Sequence, residues 1–211
     1  MAVPSTQLPS VGLRMLAKPR RVLLVILVLA GSWQLGLGLY IHAKAVFAQV
    51  LLERAWAATL LGQQQVKPWP WADTWPVARM KVPRLGIDLI VLDGDSGRNL
   101  AFAPGHNPAS PLPGDIGNSF ISAHRDTHFR FLQNLKPGDV IEMQRADGQR
   151  FQYRVENAIV ENASQAVVTK TEEVSRLILV TCYPFDAIVP GGEQRYLVSA
   201  VDDVNQTSVV F

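Results

Sequence analysis

The chain has 211 residues, enough for one globular domain of ordinary size and an appendage. Hydrophobic residues make up 48% and charged residues 18%, too apolar for a disordered chain and indicative of a concentrated apolar segment. With 20 basic and 18 acidic residues the net charge is +2, so no broad basic surface for nucleic acid is implied.

Residues 22–41 (VLLVILVLAGSWQLGLGLYI) carry no charge and, as a helix, reach roughly the 30 Å of a bilayer core. Arg14, Lys18, Arg20 and Arg21 precede the run, which predicts a cytoplasmic N-terminus and an exported remainder. A cleaved signal peptide is the alternative, since Ala43-Lys44-Ala45 has the small-x-small form. The run exceeds the usual 7–15-residue apolar region of such peptides, which favours an uncleaved anchor.

Residues 43–62 read as a continuing helix, with Phe47, Val50, Leu51, Ala55, Ala58 and Leu61 on one face and Gly62 as its stop. In KPWPWADTWP (67–76), Pro68, Pro70 and Pro76 forbid a regular helix. Trp69, Trp71 and Trp75 fit either a belt at the outer headgroups or a collar packed on the following domain. From residue 77 the pattern changes to short apolar runs bounded by turn signals. Strands are expected near 77–82, 85–92, 118–123, 139–145, 150–161, 176–181 and 194–201, with a shorter one near 101–106 or 165–169. HFRFLQNL (128–135) alone looks helical there. Such a chain suits a closed barrel or sandwich around a single core.

Three strand ends carry reactive groups: His124 in SAHRDTHF, Cys182 in LILVTCYPF and Arg195 in GGEQRYLV. Cys182 is the lone cysteine, which excludes an internal disulfide or a CxxC site. In an oxidising compartment a lone thiol is a liability unless buried or used. A thiolate can attack a carbonyl, an imidazole can move the proton, and a guanidinium can stabilise the oxyanion. Each residue alone also has a plain structural reading: a small buried hydrophobe, a structural histidine, a strand-pairing arginine.

Together these segments resemble the sortases, membrane-anchored cysteine transpeptidases. His124 in AHRDTHF, Cys182 in LVTCYPF and Arg195 in QRYLV stand in the family's order, and the likeness extends through VPRLGIDLIVLDG (82–94) and PGDIGN (113–118). It covers residues 77–201, and the anchor with the Pro/Trp segment makes the Gram-negative proteobacterial branch the most similar. The resemblance implies a mainly β fold: a closed sortase-like β-barrel of seven to eight strands with short helices, after an N-terminal transmembrane helix. The divisions expected are a basic cytoplasmic N-terminus (1–21), an anchor (22–41), a juxtamembrane helix and Pro/Trp linker (42–76) and a catalytic barrel (77–211).

The resemblance also implies catalytic roles for His124, Cys182 and Arg195. Thr181 and Ala123 become substrate-binding candidates, Thr181 alternatively shaping its strand end. Ala123 replaces the glycine common before the histidine, a change tolerated unless that backbone needs positive φ. His128 lies four residues beyond His124, a metal-like spacing without a suitable third ligand, and no metal or cofactor is expected. Arg125 and Asp126 are expected to make local loop hydrogen bonds. The implied activity is cleavage of an LPxTG-like signal on a secreted protein through a thioacyl intermediate, with transfer to an amine acceptor. The implied place is the inner membrane, single-pass, with the catalytic domain periplasmic. A peptidase resolving the intermediate with water, or a non-catalytic β-barrel binding module, are the alternatives.

Overall fold

The computed structural model describes residues 17–162, 174–187 and 191–203. The chain divides into two compact units, one ending at Phe47 and the other beginning at Ala48.

A single helix, α1 (Ala17–Leu60), runs through the apolar segment. Val22 to Leu29 are each more than half exposed, so this part of the helix is apolar on all sides. It is long and apolar enough to cross a membrane and fits a single-pass anchor.

From Ala48 the same helix is packed on one side only. Ala48, Leu52, Ala55, Trp56 and Thr59 are buried, whereas Val50 is 43% and Leu61 84% exposed. The buried stripe therefore differs from the expected face and shares only Ala55 with it. The reason is what α1 meets: Leu52 and Trp56 form an apolar cluster with Ile90, Leu92 and Ala103. Glu53 adds an ion pair to Arg79 at 3.0 Å, and Gln49 Nε2 donates to the Phe102 carbonyl at 2.9 Å. Gly62, with φ at +90°, follows the end of α1 in the left-handed conformation that stops a helix. In the Pro/Trp segment Trp69 packs edge-on against Phe102 with centroids 4.8 Å apart, while Trp71 is 83% exposed.

The strands are β1 (Pro76–Val82), β2 (Ile87–Asp93), β3 (Gly105–His106), β4 (Gly117–Ser122), β5 (Val140–Arg145), β6 (Arg150–Asn162), β7 (Ser175–Cys182) and β8 (Gln194–Asp202). They close into a barrel in the order β1-β2-β3-β4-β7-β8-β6-β5. This is the expected closed barrel of seven to eight strands, with eight among the described residues. The short strand falls at 105–106, and the other candidate, 165–169, lies outside the described residues. Leu85 belongs to a 3₁₀ turn, Pro83–Leu85, before β2 rather than to the strand itself. The expected helix near 128–135 is a 3₁₀ helix, Arg130–Asn134.

Most neighbours are antiparallel, but β2–β3 and β4–β7 are parallel. Alternate residues fill the interior: Ala78, Met80 and Val82 from β1, Ile121 from β4, Leu177 and Leu179 from β7, Val198 and Ala200 from β8. β2 reads as a continuous apolar run because it is buried twice. Val91 faces the interior, while Ile90 and Leu92 lie under α1.

Candidate active site

The three reactive residues sit at one end of adjacent strands β4, β7 and β8. In the antiparallel β7–β8 ladder Cys182 is the direct partner of Arg195, two steps beyond the pair Val180 and Leu197. Direct partners project to the same face of a sheet. Leu177 and Leu179 point inward on β7, as do Val198 and Ala200 on β8. By alternation Cys182 and Arg195 share the outer face.

On the other side β4 pairs in parallel with β7 up to Ser122 and Val180. The ladder continues one residue further, because the Ala123 N–H donates to the Val180 carbonyl at 3.2 Å. His124 follows, exposed, after the inward-facing Ala123. The geometry thus brings His124, Cys182 and Arg195 to one rim on three neighbouring strands. Cys182 is a free, half-buried thiol. The Arg195 guanidinium is turned onto its own loop, Nη1 donating to the carbonyls of Gly192 at 2.6 Å and Gln194 at 2.9 Å.

Ala123 and Thr181 are placed differently. Both are buried, at 5% and 3% exposure, and they meet each other: Thr181 Oγ1 donates to the Ala123 carbonyl at 2.8 Å. That bond joins the residue before the histidine to the residue before the cysteine. Alanine at 123 costs the backbone nothing, since Gln65 is the one non-glycine residue with positive φ among the described residues.

The chain after His124 is a tight turn in which the Thr127 and Phe129 N–H groups both donate to the His124 carbonyl, at 3.4 and 3.1 Å. Phe129 is fully buried and anchors it. His128 is half-buried there, and burial, with a smaller push from His124, holds its imidazole below the ordinary histidine range.

Arg125 makes the expected local bond and also reaches much further. Only Asp126 is a local partner, and the bond from Arg125 draws that carboxylate below its usual range. The guanidinium also reaches the carbonyls of Pro184 at 2.5 Å and Ala187 at 2.9 Å, 59 and 62 residues along the chain. An arginine beside a histidine carries no sequence signal of so distant a partner. The loop it grips leaves β7 through a cis Tyr183–Pro184 peptide. Tyr183 stacks on Tyr196, and Phe185 meets Tyr196 edge-on, with centroids 6.1 and 5.1 Å apart. Phe185 and Tyr196 pack on the barrel core.

Known proteins carry the same architecture. A sortase C-1 from Actinomyces oris has 27% identity and a TM-score of 0.53, covering 60% of this chain and 74% of that one. A Clostridium perfringens sortase D5 transpeptidase has 25% identity and a TM-score of 0.53, covering 60% of this chain and 78% of that one. Among curated proteins, sortase D of Bacillus subtilis (strain 168) is 30% identical over 119 residues. That match takes in 56% of this chain but only 60% of the length of the relative. The sortase domain family model matches residues 80–203, more than half of the chain and nearly all of the barrel. On that match the chain belongs to the sortase family.

Proposed function

We propose that the protein is a membrane-anchored cysteine transpeptidase acting on LPxTG-like sorting signals of secreted proteins. Cys182 Sγ attacks the carbonyl carbon of the Thr–Gly bond, the C–S bond forms and the C–N bond breaks. His124 delivers the proton that the departing glycine amine requires. Arg195 stabilises the oxyanion of the tetrahedral intermediate. An acceptor amine then attacks the thioacyl carbon, His124 takes its proton, and the C–S bond breaks to release the Cys182 thiolate beside the protonated imidazole. Residues 22–41 anchor the enzyme and residues 42–76 join the anchor to the catalytic barrel, 77–211. The basic residues before the anchor support an N-terminus in the cytoplasm and a barrel outside the inner membrane. Anchoring raises the effective concentration of enzyme beside emerging substrates.

The observation that carries this is the direct pairing of Cys182 with Arg195 beside the strand end that bears His124. Once turned from its loop carbonyls, the guanidinium of a direct cross-strand partner is within side-chain reach of a carbonyl held at the thiol. The test uses the full chain in detergent micelles with LPxTG-type peptides, read by intact-mass spectrometry. The expected result is an acyl adduct on Cys182, absent in Cys182→Ala, that adding triglycine converts to amine-bearing product. No adduct in the wild type would refute the nucleophile. An adduct that yields only hydrolysed peptide, even with triglycine, would refute transfer.

A further inference from the structure

Arg125 is a charged side chain only 6% exposed, next to an exposed histidine. A buried guanidinium is tolerated only when its donors are satisfied. Here four of the five N–H donors bond: Nη1 to the Pro184 carbonyl, Nη2 to the Ala187 carbonyl, and Nε and Nη2 to the carboxylate of Asp126 at 3.0 and 3.3 Å. The planar fork sets the direction of each bond, so the two carbonyls are held at a fixed mutual orientation.

Those carbonyls belong to the segment that immediately follows Cys182. On the other side of the same pair, the Thr181 hydroxyl ties the residue before Cys182 to the residue before His124. His124 and Cys182 are therefore bracketed: one cross-link precedes both residues and another follows both. Between the brackets lie the two side chains whose separation the proton transfer depends on. Behind the loop, Phe185 and Tyr196 pack on the barrel core and give the outer bracket a firm backing.

We propose that Arg125 is a positioning residue for the reaction at Cys182, fixing the spacing of thiol and imidazole by fastening the loop after the one to the turn after the other. The role rests on Cys182 being the nucleophile proposed above. A displacement of about 1 Å in a reacting pair costs on the order of 100-fold in rate.

The test compares wild type, Arg125→Gln and Arg125→Lys as full chains in micelles, with an LPxTG-type peptide and triglycine, at a temperature where circular dichroism shows each to be folded. Arg125→Gln is expected to lower kcat by roughly 10- to 100-fold while KM stays within about threefold. Alkylation of Cys182 by iodoacetamide at about pH 10, where the thiol is ionised whatever its neighbours, reads access to the sulfur alone and is expected to stay within about threefold. Arg125→Lys keeps the charge but cannot grip both carbonyls, and its kcat is expected to fall at least fivefold, short of the glutamine variant. A folded Arg125→Gln with wild-type kcat overturns the proposal. So does a loss carried by KM, or alkylation falling in step with kcat. If the glutamine variant does not fold, the lysine variant decides alone, and wild-type kcat there overturns the proposal. A wild type that forms no adduct sinks the nucleophile and this role together, whereas an active wild type with an unaffected Arg125→Gln sinks this role only.

Discussion

Replacing Trp56 by alanine tests how α1 is attached to the barrel. Trp56 is 2% exposed and packs with Leu52, Ile90, Leu92 and Ala103 in a cluster separate from the barrel interior. Removing a buried tryptophan side chain costs about 3–5 kcal/mol through lost transfer energy and the cavity left behind. The cluster lies at the edge of the fold, so release of the helix end limits the loss to the lower part of that range. For a chain of this size, about 3 kcal/mol corresponds to a fall in Tm of roughly 6–12 °C. Leu61→Ala is the control, since Leu61 is 84% exposed on the face that periodicity alone would bury. It is expected to change stability by less than about 0.5 kcal/mol. Thermal melts of the full chain in micelles, followed by near-ultraviolet circular dichroism, read both variants. Equal melting temperatures for Trp56→Ala and Leu61→Ala would show that α1 does not dock through the Leu52–Trp56 stripe.

Thr181→Val removes the hydroxyl and leaves the buried Ala123 carbonyl without its donor, which costs about 1–3 kcal/mol and is read as a Tm lower by several degrees. Peptide turnover is expected to fall as well, because the inner cross-link beside His124 and Cys182 is lost; unchanged Tm and turnover would contradict it. His128 gives a pH effect with a definite sign. Its folded-state value lies below the ordinary one of about 6.5, so the unfolded chain takes up a proton first as pH drops. Its contribution is complete above about pH 6.5 and erodes below it, so the wild type should lose more Tm between pH 7.5 and 5.5 than His128→Asn. Parallel curves for the two would count against burial as the cause.

Much of the barrel is legible in the primary structure because its strands alternate cleanly. Met80 and Val82 on β1, or Leu177 and Leu179 on β7, face one packed interior, and period two survives. The helix face is less legible because amphipathicity reports what is apolar, not what is covered. Leu61 and Val50 are as apolar as Leu52, and only the position of Ile90 and Leu92 decides which of them is buried. His124, Cys182 and Arg195 are reactive types at strand ends, but each alone also fits a structural reading, and it is the resemblance to the sortases that singles them out. The clamp on the loop carries no such signal. Arg125 reaches Pro184 and Ala187 through a parallel pairing of β4 with β7, a long-range register that no local pattern encodes. Thr181 has the same property, with its partner 58 residues away.

The order of strands around the barrel has a consequence for its closure. The first six strands form an open sheet, β4-β3-β2-β1-β5-β6, and the last hairpin, β7–β8, inserts between β4 and β6 to shut it. Cys182 and Arg195 both ride on that hairpin, and it docks beside the strand leading to His124. Without that hairpin the six strands would leave two unpaired edges, one on β4 and one on β6. Sealing the cylinder and setting the Cys182 thiol beside the end of β4 are thus one and the same step.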